Sequence, residues 1–414
     1  VQAWKFWSPE LGLRALKPFV EFQQPDGRMP HMVFWGRKVS ALSNPPFLAW
    51  AVYELLQYHP DPKWAVFFLD PLTRFMEWRK KARFDEPSGL YFWIHSYESG
   101  IDNSPRFTTI DEKEDLGTNR LGAIDLNAEI ILQHQSVLQI INRFTPEHPY
   151  KPILLAELKR LSRQIQTSLW DKEKGLFGDL EFDSGKLRTI DTIASYFPLI
   201  CEDLDPTIKS KMITALRDPQ RYNTLIPLPS VARNSPDFVK DMWRGPVWIN
   251  TAYLVVKGLE KQGEHKLAGE FAYRLCKGVY ETYHNEGNFF EFYDPERYDL
   301  TELNRKKGNL YKKITLGSKP VKNFAGWTAD VNALLFENVF GIKMREGQWI
   351  LEPHLPEEWF TQSNLMIINL PAFGIDLGMQ ISKDHKSITI DGNVKEKSVH
   401  FSINNHERCM LLDR

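Results

Sequence analysis

The 414-residue sequence has no excess of either charge: 52 Lys and Arg face 53 Asp and Glu, for a formal net charge of −1. Without a global basic field, nucleic acid and acidic lipid are poor general partners, and without an acidic excess no solvating tail is indicated. Cysteines are few. Cys201, Cys276 and Cys409 are far apart and odd in number, which argues against a disulfide framework and for a reducing, cytoplasmic setting. The sequence contains no CxxC or HExxH pair, no Walker loop and no dinucleotide-binding glycine run, so no familiar metal or phosphate motif is present. No apolar run nears the ~20 residues of a membrane helix, and the first residues lack a signal peptide's basic and apolar regions. These absences leave a small or neutral molecule as the expected partner.

Aromatic residues, by contrast, are plentiful at 13%. Flat rings with a polar edge suit the faces of a sugar, and they also fill cores, so the composition is only permissive. From residue 45 to about 340 the apolar spacing is helical. Leu154, Leu158, Leu161, Ile165 and Leu169 form one stripe. Pro45-Pro46 and Asp61-Pro62 read as helix starts, with Pro71 expected to kink or break the second helix. Further helices are expected over residues 125–143, 206–217, 247–261, 265–283 and 327–340. After Gly341 the period changes to two. Ile375, Leu377, Met379 and Ile381 alternate with Asp376, Gly378 and Gln380, and short runs at 364–370, 387–391 and 398–403 complete an expected antiparallel β module. The division read from this is a helical domain over 1–344 and a β module over 345–414.

Three segments stand out chemically. His95-Ser-Tyr-Glu-Ser-Gly-Ile-Asp-Asn-Ser-Pro-Arg106 places Glu98 and Asp102 around Gly100, with Asn103 and Arg106 beside them. A crowded, partly desolvated carboxyl can hold a proton near neutrality, the property a glycosidic leaving group requires, whereas Arg106 would oppose it unless it pairs with Glu98 or a substrate. A polar loop satisfying its own turns is the plainer reading. Asn288-Phe-Phe-Glu-Phe-Tyr-Asp-Pro295 surrounds Glu291 with aromatics, a setting for a base acting on one water, or for a buried Glu paired with an Arg. Met242-Trp-Arg-Gly-Pro-Val-Trp-Ile-Asn250 offers Trp243 and Trp248 as stacking faces or as core residues. Asp111-Glu-Lys-Glu-Asp115 reads as a solvated acidic turn more than a calcium loop.

Taken together, Glu98-Ser-Gly-Ile-Asp102-Asn-Ser-Pro, Trp243-Arg-Gly-Pro-Val-Trp-Ile-Asn250, Glu291-Phe-Tyr293 and Gly326-Trp-Thr-Ala329 resemble glycoside hydrolase family 63 in their order, as do Asp26-Gly-Arg-Met-Pro-His31 and Asp125-Leu-Asn-Ala128. That family includes α-glucosidases and mannosylglycerate and glucosylglycerate hydrolases, and it is related to family 37 trehalases. The resemblance implies a mainly α fold, an (α/α)6 barrel with its active site in the mouth. It also implies inversion at the anomeric carbon, with Asp102 as general acid and Glu291 as general base. The substrate contacts expected around that pair are His31, Trp35, Glu98, Asn103, Arg106, Asn127, Trp243, Arg244, Gly245, Trp248, Tyr293 and Trp327.

Departures are visible too. A Trp-Asp motif and helix expected before Leu13–Gln24 are not evident, so N-terminal helices are expected to be missing or replaced. Asn44-Pro-Pro stands where Gln-Pro-Pro is usual. The trehalase runs are absent, which demotes trehalose. The expectation is an exo-acting α-glucosidase on short α-glucosides, needing no cofactor or metal and taking a small carbohydrate rather than nucleic acid or membrane. A mannosylglycerate or glucosylglycerate hydrolase is the alternative. An inert sugar-binding barrel is the rival from another class, and an epimerase is a third reading that would want paired histidines.

Overall fold

The computed structural model describes residues 2–109, 116–305, 317–345, 347–361, 365–382 and 387–411. The helices beginning at Pro62, Ser96 and Pro206 each follow a side chain that caps an orphan backbone N–H. Helix α1 spans Pro9–Glu21 and α2 spans Leu48–Tyr58. Helix α3, Pro62–Ala82, starts at Asp61, whose carboxylate accepts from Lys63 N at 2.9 Å, with Pro62 in the first turn. A short α4, Ser96–Ser99, precedes α5, Ile124–Phe144, and α6, Lys151–Ser168. Helix α7, Pro206–Arg217, is capped by Asp205. Then come α8, Ile249–Lys261, and α9, His265–Glu286, followed by α10, Asp330–Leu334, which runs into a π turn over Leu335–Val339.

The expected break at Pro71 does not occur, and α3 continues through it. One hydrogen bond is lost to the ring, at a cost of about 3 kcal/mol. Phe68, Leu69, Leu72, Phe75 and Met76 are buried around it, and at roughly 1.5–3 kcal/mol each their burial outweighs that cost. Gln23 Nε2 also donates to the Pro71 carbonyl at 2.8 Å. The 3-10 stretch Ile193–Ile200, buried at every residue, was not expected, because a short apolar run has no readable period.

Packing orders these elements into a ring. Helix α2 packs on α5, α5 on Ile193–Ile200, that stretch on α8, α8 on α10, α10 on the 3-10 turn Gln2–Phe6, and that turn on α2. Helices α1, α3, α6 and α9 lie against members of the ring. Strands Ile342–Arg345, Gln348–Leu351 and Cys409–Met410 form one antiparallel sheet. Strands Leu365–Leu370, Ile375–Ile381, Ile388–Val394 and Lys397–Ile403 form a four-stranded meander, its buried Ile375, Leu377, Met379 and Ile381 continuous with the helical core. All three cysteines are buried and free, and no helix of the described residues is long and apolar enough to cross a membrane.

Charge closes the ring as well as apolar contact. The fully buried Lys5 Nζ lies 2.9 Å from Glu54 Oε2 and 2.7 Å from Glu337 Oε1. Lys257 joins Glu337 to Glu260, and Lys343 bonds Glu260 at 2.7 Å. Tyr58 and Tyr253 hydroxyls donate to Glu337 at 3.2 and 3.3 Å. Burial alone would raise the Glu337 pKa, but Lys257, Lys5 and Arg345 overcome it and hold the carboxyl well below its ordinary value; Glu54 is lowered in the same way, chiefly by Lys5.

Glu337→Gln should therefore cost about 3–5 kcal/mol in urea unfolding, since it leaves buried cations uncompensated. Both folded pKa values lie below the unfolded value near ~4.3, so this stabilisation is fully present above that pH and is lost as pH falls through the folded values. The urea midpoint of the wild-type chain should drop more steeply than that of Glu337→Gln between about pH 5 and pH 3.

Candidate active site

A cavity of about 360 Å³ opens within the ring, a size suited to a small ligand. Each member of the ring sends a side chain to its wall: Gln2 from the first turn, Trp50 from α2, Glu129 from α5, Phe197 from the 3-10 stretch, Asn250 from α8 and Asp330 from α10. His31, Gly100, Ile101, Trp243 and Trp327 complete the part of the wall formed by the conspicuous loops.

The loop bearing Asp102 is held from behind. Arg106, buried, donates to Asp125 at 2.9 and 3.0 Å and to Asp179 at 2.9 and 2.6 Å. Burial would lower its pKa, and the two carboxylates more than reverse that. Glu98 is likewise consumed: it accepts from Arg83 at 3.1 and 2.9 Å, from Ser43 N at 2.8 Å and from Ile94 N at 3.0 Å. Burial raises its pKa, and the Arg83 bonds turn the net shift downward. Asn127 spends its amide on the backbone of Tyr91 and Ala123. Glu98, Arg106 and Asn127 are not among the residues that line this cavity, nor are Asp102 and Glu291, and the described bonds of the first three hold the loop. Asp102, partly exposed, directly follows the wall residues Gly100 and Ile101.

Two further loops are tied to this one. Asn103 Oδ1 accepts from Trp243 N at 2.9 Å. Trp243 stacks on Trp248 with ring centroids 3.7 Å apart, and Trp248 donates Nε1 to the Met242 carbonyl at 2.8 Å. Trp243 faces the cavity, while Trp248, also buried, stands behind it as a core residue. Gly245 has φ of +148°, and a Cβ there would come within 2.7 Å of the Val239 carbonyl, so its part is backbone geometry. Arg244 donates to the Thr108 carbonyl. Val247 and Tyr293 exchange backbone bonds at 2.8 and 2.9 Å, joining the tryptophan run to the Glu291 run. The buried Tyr293 hydroxyl accepts from Phe290 N at 3.1 Å.

Glu291 is buried, and its Oε1 accepts from Arg305 Nε at 2.7 Å and Val321 N at 3.3 Å. The cavity residue Trp327 donates Nε1 to the Glu291 carbonyl at 2.8 Å. Trp35 sits apart, fully exposed at a hairpin tip and absent from the cavity wall. The acidic run 111–115 lies outside the described residues.

The wall includes His31, which motif reading names, and Glu129, Asn250 and Asp330, which it misses. His31 Nδ1, Glu129 Oε2 and Asn250 Oδ1 are buried with no hydrogen-bond partner among the described residues. Burial raises the Glu129 pKa far above its ordinary value, with Asp125 adding to the rise, and burial pushes Asp330 up to about 7. Burial thus favours the neutral form of the Glu129 carboxyl, the form that can donate as well as accept. Asn250 and Asp330 directly close or follow quoted runs. Glu129, four residues after Asp125 on one helix, has only that spacing as a signal.

Residues 3–302 match the family described as mannosylglycerate hydrolase MGH1-like glycoside hydrolase domain. A mannosylglycerate hydrolase of Thermus thermophilus is 25% identical over 66% of this chain and 81% of its own length. Mannosylglycerate hydrolase MGH1 of Selaginella moellendorffii is 24% identical over 66% of this chain and 69% of its own. The crystal structure of a GH63 mannosylglycerate hydrolase from Thermus thermophilus in complex with Tris superposes with a TM-score of 0.65 at 22% identity, covering 80% of this chain and 90% of that one.

Asn103→Ala should lower unfolding free energy by about 1–3 kcal/mol, because it strips the buried Trp243 N–H of its acceptor. Trp35→Ala, at an exposed tip, should stay within ~0.5 kcal/mol of wild type. Urea denaturation of the two variants side by side measures the contrast.

Proposed function

The chain belongs to the mannosylglycerate hydrolase MGH1-like glycoside hydrolase family and is a glycosidase, and on that premise we propose that it hydrolyses an α-glycoside with inversion, using Asp102 as acid and Glu291 as base. The observation that carries this reading is the joining of the Asp102, Trp243 and Glu291 loops around a cavity walled by every member of the helical ring. In this reading the ring is an (α/α)6 barrel, with the turn Gln2–Phe6 as one of its members and the cavity as its mouth.

Asp102 delivers its proton to the departing glycosidic oxygen. Both described contacts of the Glu291 carboxylate fall on Oε1, so Oε2 is the oxygen that takes the proton of the attacking water. The two carboxyl groups then stand about 6.5–9.5 Å apart in the reacting complex, leaving room for that water. Trp243 and Trp327 supply ring faces for the sugar, and His31, Glu129 and Asn250 supply hydroxyl partners. Glu98, Arg106 and Asn127 position the acid loop without touching substrate.

For the substrate, the names of the relatives favour mannosylglycerate over simple α-glucosides, with glucosylglycerate as the related alternative. A catalytically inert sugar-binding barrel is the competing reading, and the presence of both carboxylates counts against it.

Incubation with mannosylglycerate, glucosylglycerate and a panel of short α-glucosides, followed by reducing-sugar detection, should show release from a glycosylglycerate first; no release from any of them favours the inert reading. Asp102→Asn and Glu291→Gln should each lower kcat by at least ~10²-fold with the fold intact by circular dichroism. Proton NMR in the first turnovers should show the β-anomer before mutarotation. An initial α-anomer would mean a covalent intermediate and a different nucleophile.

A further inference from the structure

A second cluster of functional groups lies where α9 meets the strands. His265 opens α9, and Glu352 and His354 follow the strand Gln348–Leu351. One ligating atom from each comes within 4.8 Å of the others. Glu352 Oε1 lies 3.7 Å from both His265 Nδ1 and His354 Nε2, too far for a hydrogen bond to either. His265 Nδ1, Glu352 Oε2 and His354 Nε2 are all buried without a hydrogen bond among the described residues, and Lys343 Nζ stands 3.7 Å from Glu352 Oε2. Glu352 and His354 are each only 6% exposed, so each atom left without a hydrogen bond carries a desolvation cost. A proton on one imidazole would satisfy only part of this set, whereas a cation at the centre answers all three residues.

We propose that His265, Glu352 and His354 bind a divalent transition-metal ion of the zinc type, clamping α9 to the strand segment. Tetrahedral bonds of about 2.0–2.2 Å set neighbouring donor atoms about 3.4 Å apart, so the 3.7 Å separations need only a small contraction. Two imidazoles and one carboxylate favour Zn²⁺, Co²⁺ or Ni²⁺ over Mg²⁺ or Ca²⁺. The outer shell is also built. His354 Nδ1 lies 2.8 Å from His406 Nδ1, so with its proton on Nδ1 His354 donates outward and turns its Nε2 lone pair inward. Gly269, one turn after His265, makes the approach possible: a Cβ there would fall 2.4 Å from His354 Cβ. His265 and Glu352 also line a cavity of about 500 Å³, which leaves a fourth coordination position open to water. This cavity shares Trp50 and Leu254 with the one inside the ring, but His265, Glu352 and His354 line none of the latter.

The test is metal binding to the full chain. After chelation and reloading with Zn²⁺ or Co²⁺, the wild-type protein should retain one equivalent by elemental analysis, its melting temperature should rise, and the Co²⁺ form should show visible absorption. His265→Ala, at a half-exposed helix start, should keep the helical circular dichroism and weaken binding by at least ten-fold, as should His354→Ala. If His354→Ala fails to fold, His265→Ala decides. Less than one equivalent in the wild type, or equal affinity in the His265→Ala, Glu352→Gln double variant, overturns the proposal.

Discussion

One guanidinium anchors the loop on which the proposed chemistry depends. Arg106 is clamped between Asp125, in the first turn of α5, and Asp179. Two carboxylates against one cation leave a net negative charge in the interior, which would be costly by itself. The surrounding donors compensate. Trp93 Nε1, Leu126 N and Ile124 N all donate to these carboxylates at 2.8 to 3.1 Å, and the positive end of the α5 dipole faces the same charge. The loop from Glu98 to Arg106 is thereby fastened at both ends, by Arg83 and by the two aspartates, with Asp102 carried between them.

That arrangement explains what could be read in the sequence and what could not. The Glu98 to Pro105, Trp243 to Asn250 and Glu291 to Tyr293 runs were recognisable because each is local, and the structure joins them. Glu98, Arg106 and Asn127 looked like ligand contacts because a local run does not distinguish a group facing the cavity from one facing the frame. Glu129 and Asp330 were invisible as wall residues, since only closure of the ring brings α5 and α10 to one space. Helix limits at 206–217 matched because Asp205 and Pro206 form a local start signal, whereas the outcome at Pro71 was set by burial between helices. His265 and His354 show no motif because a turn of α9 and a strand end meet only after folding.

The chemistry of the cavity wall suits a hydroxyl-rich ligand. Burial raises the pKa of Glu129 and pushes that of Asp330 up to about 7, so burial works against negative charge in the wall. Among its described residues the wall has no lysine or arginine. A carboxylate on an aglycone placed there would be received by hydrogen-bond donors such as the Asn250 amide rather than by an ion pair.

The pairing of Lys5 with Glu54 and Glu337 has a consequence for the order of assembly. Glu54 emerges soon after Lys5 during synthesis, but Glu337 follows more than three hundred residues later. At roughly 5–20 residues per second, the first turn waits about 15–70 s for its second counter-charge. The helices in between can form and pair as they leave the ribosome, yet the ring cannot close around Lys5 until α10 and its π turn arrive. A chain interrupted before residue 337 would keep its local helices and lack the partner that seals them.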